Sequence, residues 1–156
     1  MNHKLQIRRA ATTDFAAVLN LAGELAEHIK SQKPALTAER YEHYYLHPGA
    51  PMHLLLAVES GQVQGLISWT VTHELYSADT RLYISDLVVS TSARGKGIGR
   101  ALMNEAVVWA RAHNVEKLGW DVWRFNQQAR DFYEKLGGRV DNEALPYVLN
   151  LEQAAQ

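Results

Sequence analysis

Apolar residues recur at every second position in some segments and every three to four positions in others. These changes of spacing predict the order of strands and helices along the chain. Leu5 to Arg8 alternates as a short strand, and Phe15 to Leu25 then repeats at helical spacing after an N-cap offered by Thr12-Thr-Asp14. A second, aromatic-rich helix is predicted from Thr37 to about Leu46, because a Pro-Gly-Ala-Pro turn follows it at 48–51. The chain is therefore predicted to begin with a strand and two helices.

The middle of the chain has the pattern of three strands. His53 to Glu59 and Gln62 to Thr72 are rich in apolar residues and flank Ser60-Gly61, a pair typical of hairpin turns. Arg81 to Val89 follows a short polar link and predicts the third strand. We therefore expect an antiparallel run of three strands.

Helices and strands alternate in the last part of the chain. Helical spacing predicts a helix from Ile98 to His113 and another from Asn126 to Leu136, which Gly137-Gly138 closes. Lys117 to Trp123 predicts a strand between them, and Pro146 to Leu151 predicts a last strand. The order indicates an α/β protein with a largely antiparallel sheet.

Composition narrows the classes of function. The 16 Lys and Arg residues balance 17 Asp and Glu residues, so neither nucleic acid nor a membrane surface is an expected partner. Cysteine is absent and the histidines form no ligand pattern, which excludes a cysteine acyl carrier and leaves no expected metal. Without a signal-like apolar run, the chain is expected to be cytoplasmic, with one domain over 1–152 and a frayed tail at 153–156.

Glycines join the third predicted strand to the next helix in the run Arg94-Gly-Lys-Gly-Ile-Gly-Arg100. The first N–H groups of a helix have no intrahelical acceptors, and glycine lets an anion approach the backbone, so a pyrophosphate is the expected ligand. The patterns G-x-G-x-x-G and G-x-x-x-x-G-K-[ST] both fail, because Arg100 or Leu102 replaces the third glycine and Gly97 follows Lys96. What remains is R-x-x-G-x-G.

A second motif follows the first, with one predicted strand between them. Asn126, Ala129, Phe132, Tyr133 and Gly137 fit the pattern N-x-x-A-x-x-F-Y-x-x-x-G. With both motifs in this order, the C-terminal half resembles the GNAT family of N-acetyltransferases. Within that family, the run Tyr-Ile-Ser-Asp-Leu-Val-Val at 83–89 most resembles the polyamine and small-amine acetyltransferases. The resemblance implies the GNAT fold, of α/β (α+β) class, in which helices flank both faces of a mixed, mostly antiparallel sheet.

The resemblance also implies that acetyl-CoA is the co-substrate. The backbone of Leu87, Val88 and Val89 would pair with amides of the pantetheine arm, and the Val88 N–H would polarise the thioester carbonyl. Tyr133 would protonate the leaving thiolate, although its helical spacing alone is typical of a core residue. The implied CoA-binding residues are Leu87, Val88, Val89, Arg94, Gly95, Lys96, Gly97, Ile98, Gly99, Arg100, Asn126 and Tyr133.

The sequence offers several bases for the acceptor amine. A primary amine has a pKa of about 10.4, so it must lose a proton before it attacks a thioester at pH 7. Polyamine acetyltransferases of the family place a glutamate just before the Asp-Leu of the third strand, where this chain has Ser85. Asp86 could replace it if the strand is bulged, and Glu74 could act through an ordered water. We weight these two equally, with Asp121 as a third option.

Residues on the first helix are candidates for binding the acceptor. Glu24 and Glu27, together with His28, would attract a cationic amine, and Ser85 would border the same cleft, but a solvated helix face is the commoner reading. Aromatic side chains could form cation–π walls or simply pack in the core. These residues are Tyr41, Tyr44, Tyr45, Trp69 and Trp123.

The expected function is direct transfer of an acetyl group from acetyl-CoA to a primary amine, with a small amine or polyamine as acceptor. Acetylation of a peptide N-terminus or lysine is the first alternative. A non-catalytic acyl-CoA-binding sensor is the second, because Ser85 replaces the expected glutamate. A homodimer is expected, because members of the family often form dimers.

Overall fold

The structure is a computed structural model that describes residues 4–150. The chain divides into two compact units, the first ending at Trp123 and the second beginning at Arg124. The first unit contains one five-stranded sheet in the order β1-β2-β3-β4-β5, antiparallel except for the parallel pair of β4 and β5. Its strands are β1 (Gln6–Arg9), β2 (His53–Glu59), β3 (Gln62–His73), β4 (Thr80–Val89) and β5 (Lys117–Trp120). The mixed, mostly antiparallel sheet is confirmed.

Helices cover both faces of this sheet, as predicted. On one face, α1 (Phe15–His28) packs against β3 and β4, with Val18, Leu66 and Val88 in a common buried cluster. The short α2 (Ala38–Tyr41) continues as a π-helical turn, Glu42–Leu46, on the same side. We call this side the α1 face.

The opposite side, which we call the α3 face, is covered by α3 (Ile98–Ala112). Gly65 shows how closely this helix approaches. A β-carbon placed on Gly65 would lie 3.2 Å from the side chains of Ile98 and Leu102 and 2.9 Å from the Val88 carbonyl oxygen. Successive strand residues face opposite sides of the sheet. Gly65 therefore leaves room for α3 on one face, while its neighbour Leu66 packs in the core of the α1 face.

The N-cap of α1 is Asp14, within the predicted Thr12-Thr-Asp14, but its side chain makes no capping hydrogen bond to this helix. Its buried carboxylate accepts hydrogen bonds from both terminal nitrogens of Arg8, at 2.7 and 2.8 Å, and from the Ala11 N–H at 2.9 Å. The Arg8 guanidinium holds the pKa of Asp14 below its ordinary value. A bidentate ion pair with Arg8 of β1 is a stronger interaction for this carboxylate than a capping hydrogen bond.

The pairing of β4 and β5 ends before β4 does. It runs from Arg81 opposite Lys117 to Ile84 opposite Trp120, and β5 stops there rather than at the predicted Trp123. The second half of β4, 85–89, remains paired with β3 on its other side. Within residues 4–150, this half of β4 therefore has one unpaired edge.

The second unit contains α4 (Gln127–Lys135), whose position confirms the predicted helix. The Asn126 side chain accepts a hydrogen bond from the Ala129 N–H at 3.1 Å, and the helix closes at Gly137, which has a φ of +92°. The strand predicted for Pro146 to Leu151 is wrong over 146–150, while Leu151 lies outside the described residues, like the tail at 153–156. An apolar pattern makes a strand only where a neighbouring backbone pairs with it, and 146–150 joins no sheet of the described chain.

Candidate functional site

The glycine-rich turn leads directly into the first turn of α3. Gly95 and Gly97 have φ values of +78° and +82°, a region that strains side-chain-bearing residues. Arg94 is anchored by a hydrogen bond from its Nε to the Val89 carbonyl oxygen at 3.3 Å. Arg94, Lys96 and Arg100 are exposed at the positive end of the α3 dipole. The turn therefore has the backbone shape and charge that a pyrophosphate requires.

A β-bulge at Ser85 decides which face Asp86 reaches. Ile84 pairs with Trp69, but Asp86 pairs with Ser68, so Ser85 is an extra residue in β4. Residues paired directly across strands share a face, and Trp69 packs on α3. Without the bulge, Asp86 would lie two positions from Ile84 on that same α3 face. The extra residue instead turns Asp86 to the α1 face. A bulge in this strand is the condition under which the sequence analysis made Asp86 a candidate base.

Asp86 and Ser68 form the polar end of a pocket on the α1 face. The Ser68 hydroxyl donates to the Asp86 carboxylate at 2.7 Å, and Ser68 itself is 2% exposed. The pocket has a volume of about 170 Å³. Its apolar wall includes Val18, Ala22, Leu25, Leu36, Leu66 and Val88.

Tyr45 adds a phenol to the same pocket. It comes from the π-helical turn, a local widening that often occurs at functional sites. Burial, followed by the negative charge of Asp86, raises the pKa of Tyr45. Tyr45 is therefore a neutral hydroxyl at physiological pH. The sequence named it only as one of several aromatic candidates.

Glu24 ties α1 to the turn after β4. Its carboxylate accepts hydrogen bonds from the Thr91 N–H at 2.7 Å, the Thr91 hydroxyl at 3.0 Å and the Ser90 hydroxyl at 3.2 Å. These bonds, led by the Thr91 N–H, lower the pKa of Glu24. Both oxygens accept hydrogen bonds inside the protein, which favours a positioning role for Glu24; its acceptor-binding role stays a prediction.

The other candidate carboxylates lie away from Asp86. Glu74 follows the last residue of β3, and at about 3.3 Å per residue the strand carries it roughly 20 Å from Ser68. One ordered water cannot span that distance, so the geometry favours Asp86 over Glu74, and the identity of the base stays a prediction. Asp121 accepts a hydrogen bond from the Tyr83 hydroxyl, which raises the pKa of Tyr83 to about 12.

The remaining predicted acceptor residues lie on the surface. Glu27 and His28 are exposed at the end of α1, and Ser85 is the exposed bulge residue. Trp69 does not line the acceptor pocket: it is 1% exposed and stacks with His53 at 5.3 Å on the α3 face. Packing was the correct interpretation of this residue. Trp123 is 60% exposed.

In the second unit, Tyr133 lies on α4 beside Phe132, with the two rings 5.2 Å apart. Burial raises the pKa of Tyr133 to about 12. Tyr133 thus keeps its proton at physiological pH, as a group that donates a hydrogen bond must. Its role toward a leaving thiolate stays a prediction, as does that of Asn126.

Sequence reasoning missed Ser68, the partner of Asp86. A signal was present, because Ser68 is a small polar residue between Ile67 and Trp69 in an otherwise apolar run of β3. A buried hydroxyl needs a partner, and only the register with β4 shows which one. Among residues 4–150, no cluster of His, Cys, Asp or Glu suited to a metal occurs, and no helix has the length and apolarity to cross a membrane.

Known proteins resemble this chain over most of its length. It is 26% identical to a thialysine N-epsilon-acetyltransferase of Bos taurus over 148 residues, which cover 90% of this chain and 87% of the relative. A 63-residue stretch is 41% identical to a streptothricin acetyltransferase of Streptomyces lavendulae, covering 40% of this chain and 33% of the relative. An integron cassette protein from the mobile metagenome of V. cholerae has a similar structure, with a TM-score of 0.77, 27% identity and coverage of 94% of this chain and 92% of that one.

The match to a family is broader than any motif. Residues 16–138 match the acetyltransferase (GNAT) family, a stretch that includes α1, the bulged strand, the glycine-rich turn and α4. The motifs read from the sequence and the observed sheet agree with this match. The chain therefore belongs to the GNAT family and is an N-acetyltransferase.

Proposed function

We propose that this N-acetyltransferase moves the acetyl group of acetyl-CoA directly to the primary amine of a small molecule, with Asp86 as the base. The observation that carries the proposal is the bulge at Ser85. It puts the carboxylate of Asp86, held by Ser68, into a pocket beside the half of β4 that β5 leaves unpaired. The acceptor amine in the pocket and the thioester at the unpaired edge would then lie next to the same strand segment.

The relatives support a small acceptor. Members of the GNAT family use acetyl-CoA as co-substrate, and two similar proteins bear the names of small amines, thialysine and streptothricin. A pocket of about 170 Å³ also suits a small molecule better than a folded protein surface. The polyamine subclass, the homodimer and the cytoplasmic location stay predictions.

The residues present fit acetyl-CoA on two observations. Gly95 and Gly97 adopt the left-handed conformation that exposes backbone N–H groups at the beginning of α3, where the pyrophosphate would bind. The unpaired edge of 85–89 offers backbone groups to the amides of the pantetheine arm. When bound, acetyl-CoA supplies the thioester that the amine cleaves.

In the proposed reaction, Asp86 first holds the ammonium group of the acceptor and accepts a proton from its nitrogen. The nitrogen lone pair forms the new bond to the acetyl carbon, and the carbon–sulfur bond breaks with its electron pair on sulfur. The second proton that the nitrogen must lose ends on this sulfur, and Asp86 releases the first proton to solvent. Tyr133 supplies a hydrogen bond or a proton to that thiolate. Its pKa of about 12 makes it a weak acid, so sharing the negative charge is its main contribution.

Thiol release from acetyl-CoA, measured across a panel of small amines with a no-amine control, tests the function. We expect amine-dependent release, and Asp86→Asn to lower kcat by at least about 100-fold, the usual contribution of a general base. Glu74→Gln, the same kind of change at the far end of β3, should leave kcat within about twofold.

Three results would contradict this proposal. Turnover retained in Asp86→Asn but lost in Glu74→Gln would identify Glu74 as the base, against the expectation from the strand register. Release with short peptides and with no small amine would favour peptide acetylation. Binding of CoA without release by any acceptor would favour the sensor hypothesis.

A further inference from the structure

We propose that the acceptor pocket selects primary amines that carry a single positive charge and an uncharged, apolar body of about six carbon atoms, and that it discriminates against diamines and polyamines. This inference rests on the proposed function and adds the class of acceptor. It departs from the polyamine subclass that the sequence motifs favoured. The reason lies in the distribution of charge around the pocket.

The pocket holds one charged group. Asp86 is the only ionised side chain among the described residues that line it, and Ser68 and Tyr45 are the neutral polar ones. All other lining residues are Ala, Val or Leu. An ammonium group at Asp86 would therefore place the rest of the acceptor against hydrocarbon.

The other carboxylates of α1, α2 and the π-helical turn do not line the pocket. Glu24 accepts three hydrogen bonds from Ser90 and Thr91. In the π-helical turn that carries Tyr45, Glu42 accepts a hydrogen bond from the Thr12 hydroxyl at 3.1 Å. Glu27 and Glu39 are exposed and do not line the pocket.

Size and desolvation together define the acceptor. An apolar cavity of roughly 150 Å³ can hold a benzene molecule, so a pocket of about 170 Å³ has room for a six-carbon group. A second ammonium group in that space would lose its hydration without gaining a counter-charge, which is unfavourable. A neutral methyl end in the same place gains from burial.

Hexylamine and 1,6-diaminohexane are a matched pair for the test, because they differ only in the second amino group. With saturating acetyl-CoA, we expect kcat/KM for hexylamine to exceed that for 1,6-diaminohexane by at least about tenfold, after division by two for the two equivalent amino groups. Equal or faster turnover of the diamine would overturn the inference while leaving the proposed function intact. No release with any amine would overturn both.

Leu36 allows the preference to be reversed. It lines the pocket, is half-buried and lies between α1 and α2, outside any helix or strand. Leu36→Glu adds the missing carboxylate, so the diamine should gain at least about tenfold relative to hexylamine. Leu36→Gln has the same shape without the charge and should lower both rates without reversing their order.

Leu75→Glu is the control for a charge placed elsewhere. Leu75 is fully exposed at the tip of the β3–β4 hairpin, and this variant should keep the wild-type preference. Thermal melting shows whether each variant folds, and the wild-type comparison of the two amines decides the question even if Leu36→Glu does not. A preference that Leu36→Glu and Leu75→Glu change equally would contradict an effect local to the pocket.

Discussion

The two faces of the sheet are built from the same strands but held together differently. On the α3 face, four aromatic rings lie in series, with centroids 5.3, 5.7 and 3.8 Å apart from one pair to the next: His53, Trp69, Trp109 and His113. The first and last pairs stack, and the middle pair is tilted. On the α1 face a pocket interrupts the packing. There, two carboxylates connect α1 to its neighbours. Asp14, at the beginning of the helix, binds Arg8, and Glu24, further along it, accepts a hydrogen bond from the Thr91 N–H.

This difference shows how the fold accommodates a reactive cleft. A pocket beside α1 removes apolar contacts, and the hydrogen-bonded carboxylates of Asp14 and Glu24 compensate in part for those contacts. The α3 face is held by buried side chains, among them Trp69, Leu102 and Ala106. We therefore expect substitutions on the α3 face to affect stability, and substitutions on the α1 face to affect catalysis and acid tolerance.

Trp69→Ala should have the largest effect on stability. It removes a side chain that is 1% exposed from the centre of the aromatic stack, and we expect a loss of about 3 to 5 kcal/mol in the free energy of unfolding. Trp69→Phe should cost much less, because it keeps a ring and removes an Nε1 donor that has no partner among the described residues. Urea unfolding measures both, and a cost below about 1 kcal/mol for Trp69→Ala would refute the contrast between the faces.

Asp14→Asn should cost about 2 kcal/mol at pH 7, because it breaks the paired hydrogen bonds to Arg8. The pKa of Asp14 is lowered in the folded protein, so its stabilisation is present above the ordinary pKa of about 3.9 and is lost as the pH falls through the lower folded value. The free energies of unfolding of wild type and variant, measured with urea, should therefore approach each other as the pH falls below about 4. A difference that stays constant with pH would show that charge is not what stabilises this end of α1.

Ser68→Ala should have the smallest effect on stability, about 1 kcal/mol for one lost hydrogen bond. Its effect on turnover should be larger, with kcat lowered about tenfold because Asp86 loses the donor that orients it. Thr70→Ala, in the same strand, removes a hydroxyl that donates to the Pro51 carbonyl oxygen and should leave kcat unchanged. Equal kcat values for the two variants would remove Ser68 from the site.

Local patterns predicted the elements well and their ends less well. The hairpin strands, α3 and α4 were found from periodicity and turn residues, because those signals depend on neighbours in sequence. The early end of β5 and the missing strand at 146–150 could not be predicted, because strand pairing depends on the path of a second backbone that is distant in sequence. The ion pair of Asp14 with Arg8 could not be predicted for a similar reason, since it depends on where β1 lies relative to the beginning of α1.

By itself, the sequence determined the order of elements, the glycine-rich turn before α3 and the family motifs, all of which are properties of contiguous residues. Only the tertiary structure favours Asp86 over Glu74 as the candidate base, because the preference depends on an extra residue in the β3–β4 register that no local pattern reveals. It also decided that Glu24 ties down a turn and that one carboxylate stands alone in the pocket. These are relations between residues distant in sequence, and cross-strand pairing and packing alone bring such residues together.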